Sequence, residues 1–179
     1  MAAFATSYIP TQASQVTRAA DNASMLGDNF ATWYNATEGT LYADWEQGSG
    51  TNAGGSLFSI NDGTAATNRI LLASDGSSSA SIIPGFFVTA AGVAQASINA
   101  ATISANTRNK IAGAYKANDF AVSLNGATAL TDNSGTVPVV TQANIGTNGV
   151  GAAQSSGTIR SISYYSTALP PATLQAITQ

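Results

Sequence analysis

Asp44 and Glu46 flank Trp45 in the run TLYADWEQ, and two carboxyl groups this close raise the question of acid–base chemistry. If the run is a strand, both side chains leave the same face about 7 Å apart. Such a pair suits sugar cleavage, in which one carboxyl protonates the leaving oxygen and the other acts as nucleophile or base. The opposing reading is a solvated strand end, and the remaining inventory favours it. The chain has no Cys and no His. That removes thiolate chemistry, the commonest general base near neutral pH and the usual zinc ligands. The expectation is a protein that is not an enzyme, with a glycosidase resting on Asp44 and Glu46 as the rival.

Binding chemistry is better represented. Trp33 and Tyr34 in NFATWYN, Tyr42 and Trp45 in TLYADW, and Tyr164 and Tyr165 in ISYYS offer flat rings that can stack on a pyranose. Amides of Asn and Gln nearby can bond to its hydroxyls. These six are the glycan-binding candidates. Alternation along a strand turns one of each adjacent pair inward, so part of the set must belong to the core.

Strand signals dominate the elements that must position these groups. Residues 40–45, 56–60, 68–74, 85–90, 94–99, 110–115, 120–125 and 158–165 are short runs that mostly alternate apolar with polar. Their spacing predicts an all-β antiparallel sandwich. NDG at 61–63, SDG at 74–76, KAND at 116–119, NG at 125–126 and DNSG at 132–135 are turn sequences that tolerate positive φ. An antiparallel register across KAND sets Ile111, Gly113 and Tyr115 against Phe120, Val122 and Leu124. Pro170 and Pro171 open a short C-terminal helix over ATLQAIT. The Gly- and Ser-rich stretches 48–56 and 148–157 read as surface loops, and a further strand is conceivable at QVTRA. All 179 residues are read as one domain.

Composition excludes several partners. Only 8% of residues are charged, and the six basic ones are dispersed in a chain of net charge −3. No electrostatic footprint for nucleic acid exists. No window holds the roughly 18 uninterrupted apolar residues of a membrane span, and MAAFATSYIP lacks the basic start of a signal peptide. The expectation is synthesis in a cytoplasm without membrane insertion.

SYIPT followed by VTRAAD, then NFATWYN, EGTLYADW, LFSINDGT, NKIAGAY, FAVSLNG and GTIRSISYYSTALPPATLQAIT, resembles the laminin-G-like, concanavalin-A-like domains of bacteriophage virion proteins. The resemblance runs from Ser7 to Thr178. It implies a jelly roll of two antiparallel sheets, displayed on the virion surface as a capsid decoration, head-fibre or tail-fibre component serving adhesion. It also implies other virion proteins and further copies of the chain as partners, with a cell-surface glycan as a further one. A free-standing carbohydrate-binding module is the first alternative. Glucanases of concanavalin type carry their acids as E-x-D-x-x-E, and this chain lacks that pattern around Asp44. Folds of this kind sometimes hold Ca2+ on the sheet rim, for which Asp62, Asp75, Asp119 and Asp132 are the candidates. Each falls in a turn where the Asx motif already accounts for it, so no cofactor is expected. Arg18 and Arg160, in the best-matching motifs, are read as structural, pairing with carboxylates or capping carbonyls.

Overall fold

Eleven strands, two short helices and the loops between them are seen in a computed structural model that describes residues 23–48, 55–64, 66–78 and 81–179, with side chains except at 75–78 and 81. Arg18, the SYIPT and VTRAAD motifs, the expected strand at QVTRA and most of loop 48–56 lie outside the described residues. So does the Asp75 side chain.

One sheet, sheet A, is built from β1 (Ala23–Leu26), β3 (Gly55–Asn61), β4 (Arg69–Ser78), β5 (Ser81–Ala90), β6 (Val93–Asn99) and β10 (Gln142–Ile145) in the order β1-β10-β3-β4-β5-β6. Sheet B takes β2 (Glu38–Gln47), β7 (Arg108–Lys116), β8 (Asp119–Leu124), β9 (Leu130–Asp132) and β11 (Gly157–Tyr165) in the order β11-β2-β7-β8-β9. All neighbours are antiparallel. The expected antiparallel sandwich is therefore the fold. A single turn, α1 (Asp28–Ala31), precedes β2, and α2 (Pro171–Ile177) ends the chain.

The hairpin across KAND has the expected register: Tyr115 opposes Phe120, Gly113 opposes Val122 and Ile111 opposes Leu124. Asn118 closes it at φ 58°. The NG pair turns the chain after β8, with Asn125 at φ 50°, Gly126 at φ 73° and the Ala127 N–H donating to the Leu124 carbonyl at 2.9 Å. SDG at 74–76 is not a turn. Strand β4 runs through it, pairing Asp75 with Ile83 and Gly76 with Ile82, and a bulge follows between Gly76 and Ser78. Glycine within a strand is tolerated where the ladder bends, so turn-forming residues were absorbed as an irregularity of the strand.

Period-two alternation fills the core. Leu41, Ala43 and Trp45 of β2 face Phe58, Ile60, Leu72 and Phe86 from the other sheet, all buried. The sheets meet closely at Gly113, where an added Cβ would stand 2.6 Å from Phe86 Cγ. Across sheet B, the outer face of β7 and β8 carries Ala112, Ala114 and Ala121, and α2 covers it with Leu174. Thr178 fastens this cover through Ser123 Oγ at 3.1 Å and the Gly126 N–H at 3.1 Å. Lys110 Nζ also donates to the Gln179 carbonyl oxygen. Among the described residues no helix is long and apolar enough to cross a membrane.

Candidate functional site

The six aromatic candidates fall in three places. Trp45 is fully buried, because β2 turns it inward beside Leu41 and Ala43. Its ring cannot meet a ligand, which corrects its place among the glycan contacts. Trp33, Tyr34 and Tyr164 come together at one end of the sandwich with Phe30 and Tyr115. Phe30 stacks on Tyr34 with ring centres 4.7 Å apart, and Trp33 meets Tyr164 edge-on at 4.8 Å.

Hydroxyls close this cluster. Tyr115 O–H donates to the Asn35 carbonyl at 2.8 Å, the Asn35 N–H donates to the Tyr164 hydroxyl oxygen at 2.9 Å, and the two hydroxyls are 2.9 Å apart. Because Tyr115 gives its proton to Asn35, Tyr164 must donate to Tyr115. Burial pushes the Tyr34 phenol up to about 12, and burial together with Tyr34 raises Tyr115 further still. Both phenols stay neutral, and the hydroxyls of Tyr115 and Tyr164 pin residue 35 to the sheet. The remaining two, Tyr42 and Tyr165, lie on the outer face of sheet B. Tyr42 leans on the alanine patch beneath α2, and Tyr165 is exposed.

Asp44 and Glu46 share that outer face, and each is engaged by an arginine. Arg108 grips Asp44 with two bonds, Nε to Oδ1 at 3.0 Å and Nη2 to Oδ2 at 2.6 Å. Arg160 Nη2 reaches Glu46 Oε2 at 3.0 Å. The hydrogen bond from Arg108 holds the Asp44 carboxyl below the usual carboxylate range, against an opposing desolvation. A general acid needs the reverse, a carboxyl that keeps its proton near neutral pH. The pair reads as a charge lattice on the sheet.

A depressed folded pKa contributes stability above the unfolded value of about 3.9, lost as pH falls through the lower folded value. Urea unfolding of the wild type and Asp44→Asn should therefore show a stability gap at pH 7 that narrows below about pH 4. A gap independent of pH would contradict this role.

The carboxylates weighed for calcium do turn work where they are described. Asp62 accepts from Thr64 N–H at 2.9 Å, Thr64 Oγ1 at 2.6 Å and Asn68 Nδ2 at 2.8 Å. Asp132 accepts from Ser134 N–H at 3.1 Å, and Asp119 opens β8 opposite Lys116. Among the described residues no three His, Cys, Asp or Glu side chains gather to hold a metal ion.

The sequence reading missed a cleft of about 410 Å3 on the outer face of sheet A. Since Ile70, Leu72, Phe86 and Val88 turn inward, alternation turns Arg69, Leu71, Ala73 and Phe87 outward. Leu71 and Phe87 are cross-strand partners and, with Ala73, make an apolar floor. The Phe87 ring lies back over Gly85, where a Cβ would stand 2.6 Å from Phe87 Cζ. Only glycine leaves room for that flat orientation.

Loop 146–156 supplies the wall. It folds over β3 and β10, where Asn61 Nδ2 donates to Ser59 Oγ at 3.0 Å and Asn144 Oδ1 at 2.9 Å in a buried amide network. Gly149 packs on Asn61, with its Cβ position 2.8 Å from Asn61 Cγ. Asn148 Oδ1 accepts from Val150 N–H at 3.2 Å and Ala152 N–H at 2.9 Å. The Ser56 N–H donates to the Ala153 carbonyl at 2.9 Å, binding the loop to the edge of the cleft. The loop stops short of Leu71 and Phe87. The result is an apolar floor rimmed by Arg69, Ser56 and Asn148, with a volume in the range of small-molecule sites.

No protein-family model matches the chain, and no curated protein does either. Solved structures share its fold. The carbohydrate-binding module CBM40 of the Ruminococcus gnavus IT-sialidase, bound to α2,3 sialyllactose, superposes with a TM-score of 0.66 at 17% identity, over 89% of this chain and 93% of that one. The native heptameric SAP-like pentraxin of Limulus polyphemus gives 0.61 at 16% identity, over 80% of this chain and 70% of that one. A leech intramolecular trans-sialidase complexed with 2,7-anhydro-Neu5Ac gives 0.62 at 20% identity, over 89% of this chain and 26% of that one. What these likenesses establish is the jelly-roll β-sandwich.

Proposed function

We propose that this chain is a glycan-binding β-sandwich without catalytic activity, which takes a sugar in the cleft over β4 and β5. The observation that carries the reading is the held floor: Phe87 lies flat over Gly85 beside Leu71, with the hydrogen-bonding side chains of Ser56, Arg69 and Asn148 at the rim. A pyranose has one face of C–H groups and an edge of hydroxyls, and this arrangement complements both. The sialyllactose-bound module of the same fold supports the class of ligand. Asp44 and Glu46 belong to sheet B, on the face of the sandwich turned away from the cleft, so that pair does not act on a sugar held here.

The setting we infer is the bacteriophage virion surface, with other virion proteins and further copies of the chain as neighbours. Its support is the resemblance of FAVSLNG, GTIRSISYY and the related motifs. Adhesion through the cleft joins the two readings.

Calorimetric titration against a panel of sialylated and neutral oligosaccharides tests the site. Phe87→Ala should weaken the best ligand about tenfold or more by removing the floor, while circular dichroism shows an unchanged fold. Undiminished affinity in the variant would remove the cleft from the account.

A further inference from the structure

We infer that Asn148, in the wall of the cleft, is a site of spontaneous modification, where the side-chain amide is lost as ammonia through attack by the backbone nitrogen of Gly149. The chemistry needs no sugar, so it stands or falls apart from the glycan reading. Asn-Gly occurs twice in the chain, at 125–126 and at 148–149. In such a pair the glycine nitrogen reaches the asparagine Cγ unhindered, since glycine has no Cβ and its backbone turns freely. A bond forms from that nitrogen to Cγ and closes an imide ring, while the bond from Cγ to Nδ2 breaks. The proton given up by the glycine nitrogen leaves with Nδ2 as ammonia. Water then opens the ring at either carbonyl and leaves aspartate, or its isomer in which the main chain passes through the β carbon. Nothing is oxidised or reduced.

The two pairs are held differently. Asn125 is exposed, yet both bonds of its side chain run to β7: Lys110 N–H donates to Oδ1 at 2.8 Å, and Nδ2 donates to Asn109 Oδ1 at 2.9 Å. The attacking group is tied as well, because the Gly126 N–H donates to Thr178 Oγ1 at 3.1 Å. Ring closure there would first have to break these bonds, one of which fastens α2.

At Asn148 the side-chain oxygen is bonded within its own loop. Oδ1 accepts from the Val150 N–H at 3.2 Å and the Ala152 N–H at 2.9 Å. The first of these closes a turn that contains both Cγ and the Gly149 nitrogen, folding the side chain back against the backbone that attacks it. As the attack proceeds, negative charge gathers on Oδ1. Two backbone N–H groups aimed at such an oxygen are the arrangement that stabilises an oxyanion. Gly149 is also fixed as glycine, since a Cβ there would stand 2.7 Å from the Thr64 carbonyl oxygen. The fold that walls the cleft therefore keeps the labile pair together. Val150, Ala152 and Ala153 are exposed, which admits water to the loop. Asn148 lines the cleft, so conversion replaces a neutral amide there by a carboxylate, and the isomer adds an atom to the main chain of the wall.

The test incubates the full chain in mildly alkaline buffer, folded and in urea, and follows conversion by mass spectrometry with fragmentation that assigns the acid to 125 or 148. In the folded chain Asn148 should convert about tenfold or more faster than Asn125, whose bonds must break first. In urea the two should convert at comparable rates, and Asn148 should be no faster there than in the folded chain. Isoelectric focusing of aged samples should show an acidic drift that Asn148→Gln abolishes and Asn125→Gln leaves in place. The mapping of the wild type needs no variant and decides the matter even if Asn148→Gln disturbs the loop. Equal rates at the two sites in the folded chain, or an Asn148 that converts in urea but stays intact when folded, overturns the inference.

Discussion

Trp45→Ala should cost about 3–5 kcal/mol of folding stability, the largest loss expected from any single substitution in the molecule. The indole is fully buried on the inward face of β2, opposite Asn109 of β7 and Ile159 of β11. Truncation leaves a void between two sheets whose positions are set by strand pairing, so the walls cannot collapse to fill it. In a chain of this length each kcal/mol moves the midpoint by about 2–4 °C, so thermal melting should fall by roughly 10 °C. Trp45→Phe should cost much less, since the indole N–H has no hydrogen-bond partner among the described residues and a ring remains. A Trp45→Ala variant that melts like the wild type but loses sugar binding would return this residue to the ligand.

Gly113→Ala comes second. A Cβ there would enter the Phe86 ring, and the ring is confined by Leu72 and Ile98 at its sides. Adding one methyl group to a full core forces side chains off their rotamers at about 1–3 kcal/mol. Phe86→Leu should relieve part of that strain, so the double variant should lose less than the sum of the singles. Urea unfolding of all four proteins measures the coupling. Additive losses would mean that Gly113 and Phe86 do not share the contact described.

Much of the sandwich could be read from alternation because one face of each main strand is buried. KIAGAY and FAVSLN show it best, since their inward residues meet in the expected register. Strands β1, β9 and β10 were not readable. They are four, three and four residues long, and their pairing is supplied by β3, β8 and each other across distant sequence. The site was less legible than the fold. Searching for aromatic rings found Trp33, Tyr34 and Tyr164, which pack partly buried against the core. Phe87 sits in GFFVTA next to Phe86, which belongs to the core. Alternation does place Phe87, Arg69 and Leu71 outward, and outward Phe and Leu on strands are a signal. That they meet across β4 and β5, and that residues 146–156 wall them in, depends on pairings no local pattern contains.

Amide chemical-shift mapping of the isotope-labelled protein during titration with 3′-sialyllactose is the most direct measure of where a sugar sits. The account predicts perturbations gathered at Ser56, Arg69, Leu71, Ala73, Phe87 and Asn148, with the outer face of sheet B silent. Perturbations centred instead on Tyr42, Asp44 and Tyr165, or none at saturating sugar, would contradict it.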